Sequence, residues 1–114
     1  MTHRLEIRTR PAFDDPHADG IGQQIRELGI EQVSGVRYAR LFFLYGPLDA
    51  DDARRVGREL LADPVTEAFH LGAGEPDGRS VIEVHLQPGV MDPVAHSTVS
   101  AIREMGLDVS SVRT

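Results

Sequence analysis

Residues 5–29 of this chain return at 82–106 with their spacing intact, and that repetition limits the folds open to it more than any single motif does. Leu5-Glu6-Ile7 is answered by Ile82-Glu83-Val84, Pro11 by Pro88, and Asp15-Pro16 by Asp92-Pro93, each 77 residues on. Ile25-Arg26-Glu27-Leu28-Gly29 is answered at the same offset by Ile102-Arg103-Glu104-Met105-Gly106. One residue drops out in the next turn, after which Val33-Ser34 matches Val109-Ser110 and Val36-Arg37 matches Val112-Arg113. The matched positions read as strand core, helix cap, helix core and helix stop, so the repeated object is a supersecondary unit and not a ligand motif. Two copies imply pseudo-twofold packing. The second copy ends at Thr114 where the first runs on, which suggests either a longer chain cut short or a sheet completed from elsewhere, and which is expected to leave apolar surface from Ile82, Val84, Ile102 and Met105 and one sheet edge open to a partner.

Local patterning gives the elements of the unit. Leu5, Ile7 and Thr9 alternate with Glu6, Arg8 and Arg10, the period of a strand buried on one face. Asp15-Pro16 is a helix start, with a carboxylate for the orphan amides and proline where its missing N–H costs nothing. Ala18, Ile21, Ile25 and Leu28 make the helical stripe, and Gly29 supplies a left-handed stop. Val33 to Tyr45, rich in Val, Tyr, Phe and Leu, reads as one long strand closed by Gly46-Pro47. Asp49 caps a second helix, with Asp51 and Asp52 in its positive first turn, Arg54, Arg55 and Arg58 further along, and Ala53, Val56 and Leu60 on its buried face. Asp63-Pro64 ends it, and Val65 to Leu71 reads as a short strand. Gly72 to Gly78 is a turn-rich linker. The spacing predicts helices over about 16–28, 50–62 and 93–105 on one face of a mainly antiparallel sheet, an α+β fold. The expected divisions are a complete repeat at 1–72, a linker at 73–80 and the first half of a second repeat at 81–114.

With 114 residues, 40% of them hydrophobic, the chain suits one compact domain with a modest core. No apolar run approaches the roughly 20 residues that cross a bilayer, and the N-terminal residues alternate, unlike a signal peptide, so a cytoplasmic location is expected. The chain has no cysteine, which excludes disulfides, thiolate nucleophiles and zinc–thiolate sites. All 12 basic residues are Arg, which removes Schiff-base chemistry and a P-loop lysine. A formal charge of −6 opposes nucleic acid and anionic membranes as partners.

Leu86-Gln87-Pro88-Gly89-Val90-Met91-Asp92-Pro93, the following helix ending at Met105-Gly106, and Val109-Ser110-Ser111-Val112-Arg113 together resemble the first half of the PurS family. That family has a Lys-x-Gly-Val-x-Asp-Pro turn, whose lysine this chain lacks, a helix ending in Leu-Gly and a Val-x-x-Val-Arg strand entry. Leu60-Leu61-Ala62-Asp63-Pro64-Val65 is similar to its later segment, where a Leu-rich helix ends at Asn-Pro-Val. Ala18 and Ala95 stand near positions where the family often has Gly, and Tyr38-Ala39-Arg40 stands where it tends to have Gly-Lys. The resemblance implies a PurS-like two-layer fold and a part in ATP- and glutamine-dependent phosphoribosylformylglycinamidine synthase of purine biosynthesis. It implies a non-catalytic adaptor, with synthetase (PurL-like) and glutaminase (PurQ-like) domains or subunits as partners, self-association, and no cofactor of its own. Two copies near Met1 suit the N-terminal region of a fused synthetase. The alternative is an ACT-like regulatory domain binding a small metabolite between two αβ units.

No catalytic or metal-ligating residue is assigned. His3, His17, His70, His85 and His96 show neither His-x-His nor i, i+4 spacing. Asp14-Asp15 and Asp49-Asp51-Asp52 are better explained by helix capping than as magnesium carboxylates. Gly72-x-Gly74 with Gly78 precedes a strand, whereas phosphate loops open onto a helix. Ser97, Ser100, Ser110 and Ser111 lack a nucleophile-elbow context. Arg37 and Arg113, each ending a Val-x-x-Val-Arg run, are the candidate partner or substrate contacts, with a structural ion pair or carbonyl contact as the competing role.

Overall fold

The computed structural model describes residues 2–33, 35–72, 81–87 and 89–114. The order is β1 (Thr2–Thr9), α1 (Pro16–Glu27), β2 (Ala39–Tyr45), α2 (Ala50–Val56) running into a π-helical turn (Gly57–Leu61), β3 (Glu67–Leu71), α3 (Pro93–Glu104) and β4 (Ser111–Arg113). The strands form one sheet in the order β3-β1-β2-β4, and every neighbouring pair is antiparallel. The α+β class and the antiparallel sheet are as the sequence implies.

Register sorts the side chains onto two faces. Leu5 lies opposite Phe42 and Leu71, Ile7 opposite Phe69, and Leu44 opposite Val112. Directly opposed residues share a face, so these make the inner face. Leu5, Ile7, Phe42 and Leu44 join Leu48, Ala53, Val56, Ala62, Ile102 and Val109 in one buried cluster. The apolar side of α2 and its π turn, together with α3, thus roofs the inner face.

The helix starts follow from their caps. Asp15 accepts from the Ala18 amide at 3.2 Å and Asp92 from the Ala95 amide at 3.0 Å, each with proline in the first turn. Asp49 and Asp52 form a reciprocal capping box at the start of α2. Gly57, the first residue of the π turn, can carry no side chain because the chain comes so close to β3 there. A Cβ on Gly57 would stand 2.8 Å from the Phe69 ring.

Three expectations are corrected. The strand drawn from Val33 starts only at Ala39, where the ladder between β2 and β1 ends at Arg8 opposite Ala39. Residues 81–87, the counterpart of β1, form no strand, and Ile82 and Val84 are each 87% exposed. In the first copy β1 is held on both edges by β2 and β3, and these 114 residues contain no second copy of either strand. Ile102 and Met105, expected on an open apolar surface, instead lie in or against the core. The linker 73–80 lies outside the described residues.

Candidate functional site

The outer face of the sheet carries a charged cluster built by strand alternation. Arg4, Glu6 and Arg8 point to the same side of β1, and Glu6 lies opposite Leu41 of β2 and His70 of β3. Those neighbours bury Glu6 to 6% exposure, and two guanidinium groups compensate its charge. Arg4 Nη1 donates to Glu6 Oε1 at 2.7 Å and to the Gly72 carbonyl at 3.0 Å, and Arg4 Nη2 donates to Glu83 at 2.8 Å. Arg8 Nη2 sits 2.7 Å from Glu6 Oε2, but at an angle that leaves this buried oxygen without a hydrogen bond.

Residues 81–87 are tied to this face through side chains. Glu83 takes the Arg4 bond, the His85 ring lies 5.7 Å from that of Phe43, and His85 Nε2 is 3.5 Å from Glu83. Hydrogen bonds from Arg4, then His85, hold the Glu83 carboxyl below its ordinary value. Burial alone would pull the Arg4 guanidinium down, yet its bonds to Glu83 and Glu6 raise it above the ordinary arginine range. Arg113 extends the cluster, with its guanidinium carbon 4.8 Å from the Phe43 ring centroid, a cation–π contact. Arg37, its counterpart in the sequence repeat, lies outside the sheet in the run before β2.

A second charged group stands at the other end of β2. Arg40 Nη2 reaches both Glu67 oxygens at 2.9 Å and the Leu61 carbonyl at 3.1 Å. The pair forms one wall of a cleft of about 310 Å³, which His17, stacked on Tyr38 at 4.8 Å, and Asp15 also line. Arg40 and Glu67 neutralise one another, and Asp15 is spent on the α1 amide. Neither cluster presents a nucleophile beside a base, the arrangement that covalent catalysis needs. Among the described residues no three His, Asp or Glu side chains gather to hold a metal, and no helix is long and apolar enough to cross a membrane. Sequence reasoning missed both clusters, although the like parity of Arg4, Glu6 and Arg8 was the available signal for the first.

Asp92 has a further structural task. Besides capping α3, it accepts from the Thr114 hydroxyl at 2.6 Å and from the Thr114 amide at 3.2 Å, which locks the end of β4 to the start of α3. Burial pushes its carboxyl up, but the bonds from Thr114 and Ala95 outweigh this and hold it below the ordinary aspartate value. Asp92→Ala should cost about 1–2 kcal/mol, as loss of a cap does, and Asp15→Ala less, about 0.5, since no α1 side chain belongs to the main core cluster. A carboxyl lowered in the folded state stabilises above its unfolded pKa of about 4 and loses that contribution as the pH falls through the folded value. The gap between wild type and Asp92→Ala, read by urea denaturation, should therefore be full at neutral pH and close in acid.

The family model of PurS, phosphoribosylformylglycinamidine (FGAM) synthase, matches residues 2–75. The chain belongs to the PurS family. Solved structures agree on the fold. PurS of Bacillus subtilis superposes with a TM-score of 0.54 at 18% identity, covering 65% of this chain and 98% of that one. PurS of Methanocaldococcus jannaschii, one of the subunits of formylglycinamide ribonucleotide amidotransferase, gives 0.57 at 16% identity over 62% of this chain and 92% of its own. PurS of Thermus thermophilus gives 0.54 at 25% identity over 63% and 90%. A search of curated protein sequences finds no match. The family match covers β1 to β3, α1 included, and residues beyond 75 lie outside it.

Proposed function

We propose that this chain is a non-catalytic adaptor of phosphoribosylformylglycinamidine synthase, joining synthetase (PurL-like) and glutaminase (PurQ-like) parts in cytoplasmic purine biosynthesis. The observation that carries this reading is the PurS family match over residues 2–75. A structure from Thermotoga maritima described as PurLQS matches with a TM-score of 0.51 at 18% identity, and the assembly its name describes is the arrangement inferred for this chain. Residues 1–72 are read as the PurS-like unit and 81–114 as the opening of a second. The exposed apolar residues Val81, Ile82, Val84, Val90 and Met91 are the surface assigned to contacts, self-association included.

The isolated chain should neither hydrolyse glutamine nor consume ATP. It should instead co-purify with a PurL-like synthetase from the same source and raise the glutamine-dependent activity of a mixture with a PurQ-like glutaminase. Turnover of either substrate by the pure chain, or an unchanged rate in the mixture, would overturn the proposal.

A further inference from the structure

Residues 81–87 have the pattern of a strand and no strand to pair with. Val81 is 79% exposed, Ile82 and Val84 are each 87% exposed, and Leu86 is 46% exposed. Glu83 and His85 alternate with them and turn the other way, onto Arg4 and Phe43 of the sheet's outer face. Among the described residues no backbone group of 81–86 bonds to another strand. An extended run that offers bare N–H and C=O groups beside exposed β-branched side chains is a template for a second chain.

The same run is the tether of a detachable piece of the core. Beyond it, α3 and β4 fill the inner face through Ile102 and Val109, and β4 pairs with β2 alone. The bonds from Thr114 to Asp92 and from Arg103 to the Val109 carbonyl both lie within 92–114, so this piece keeps them wherever it is seated. Its contacts with Leu5, Phe42, Leu44 and Leu48 need only a sheet of this sequence, not a sheet of the same molecule. Residues 73–84 can extend over roughly 40 Å and 84–93 over roughly 30 Å, enough to carry the piece to a neighbour.

We propose that the partner of 81–87 is the same segment of a second copy of this chain, in a dimer whose members exchange 93–114. Each chain then seats its α3 and β4 on the other's sheet, and the two tethers pair antiparallel about a twofold axis. This deepens the self-association assigned above to Val81, Ile82 and Val84. A register centred on Val84 sets Ile82 opposite Leu86 and Glu83 opposite His85, so apolar residues meet apolar ones and an acid meets an imidazole. A register one residue away would oppose Ile82 to His85 and Glu83 to Val84, which fixes the alignment. Exchange remakes every contact of α3 and β4 in identical form, the reason swapping is a low-cost route to dimers. What it releases is the Arg4–Glu83 pair and the contact of His85 with Phe43, while Arg4 keeps Glu6. Glu83 is partly exposed, and such pairs contribute little.

The chain has no cysteine, so introduced ones report cleanly. Leu60 and Ser97 line one groove between the π turn and α3, and Leu60→Cys with Ser97→Cys in one chain should close within the monomer under a short bismaleimide. The two single variants are mixed in urea, refolded together at high concentration and separated by size. The dimer fraction should cross-link Leu60→Cys of one chain to Ser97→Cys of the other, and neither variant alone should cross-link. Val84→Cys, on the axis, should form a disulfide with itself in the dimer, since directly opposed strand residues lie within disulfide reach. Val84→Lys leaves the monomer intact, because Val84 is exposed, and should raise the dissociation constant of the dimer roughly fivefold by opposing like charges. A refolded mixture that stays monomeric overturns the proposal. So does a dimer without the mixed cross-link, which would mean that copies associate without exchange, or a dimer whose Val84→Cys form stays reduced. These measurements use no glutamine, ATP or second protein, so their failure leaves the adaptor reading to its own test.

Discussion

Ile102→Ala should destabilise the protein by about 3 kcal/mol, within the range for emptying a buried aliphatic site, while Ile25→Ala at the matched position should cost less than about 1 kcal/mol. The same Arg-Glu pair follows each residue, so that part of the sequence does not separate them. Position in the tertiary structure does. Ile102 is fully buried in a cluster with Leu44, Leu48 and Val109, and its removal leaves a cavity whose lining loses dispersion contacts as well as transfer free energy. Ile25 is half-buried and lies outside that cluster. Urea denaturation of both variants, followed by fluorescence of Tyr38 and Tyr45 or by circular dichroism, gives the comparison. Equal losses would mean that α1 and α3 share the core, contrary to the burial described above.

That comparison shows what the amino-acid sequence can and cannot disclose. Caps, stops and alternation are local, and they were legible: Asp15, Asp49 and Asp92 start helices where their carboxylates meet orphan amides, and Leu5 and Ile7 alternate into the core. Which helix covers the core is not local. The caps of α1 and α3 are alike, and only the packed sheet shows that Ile102 is buried in the core cluster while α1 contributes nothing to it. Residues 82–86 make the same point, because their alternating pattern suits a strand but a strand forms only against a partner edge. The π turn was equally hidden, since Gly57-Arg58-Glu59-Leu60-Leu61 reads as ordinary helix until Phe69 arrives beside Gly57.

The candidate surface was legible in part. Arg113 was singled out from its place in the repeat, and it lies over Phe43 beside the outer-face cluster. Arg37, singled out on the same ground, lies outside the sheet, because it precedes Ala39, where the pairing of β2 with β1 begins. Arg40 and Glu67 are 27 residues apart, and only the pairing of β1 with both β2 and β3 brings them to one end of the sheet.

The buried carboxylate on the outer face leads to the other large effect. Arg4→Met should cost on the order of 3 kcal/mol, because it strands Glu6 with a buried charge whose remaining partner, Arg8, is half exposed and poorly angled. Glu6→Gln should cost less, since the amide keeps the shape, can accept from Arg4 and carries no charge to desolvate. The double variant Arg4→Met with Glu6→Leu should recover much of the loss, as apolar replacement of a buried ion pair often does. Arg4 also anchors Glu83 and the Gly72 carbonyl, so the recovery should be incomplete by whatever those two bonds contribute. A double-mutant cycle in urea, run at low and high salt, separates the terms. Glu83 is exposed enough for its share to fade with screening, whereas the Arg4–Glu6 coupling should persist. If Arg4→Met were as stable as wild type, the outer-face cluster would be ornament on the sheet. A loss repaired by Glu6→Leu would instead establish that Arg4 is retained because Glu6 is buried, and that the pair fixes where residues 81–87 cross the sheet.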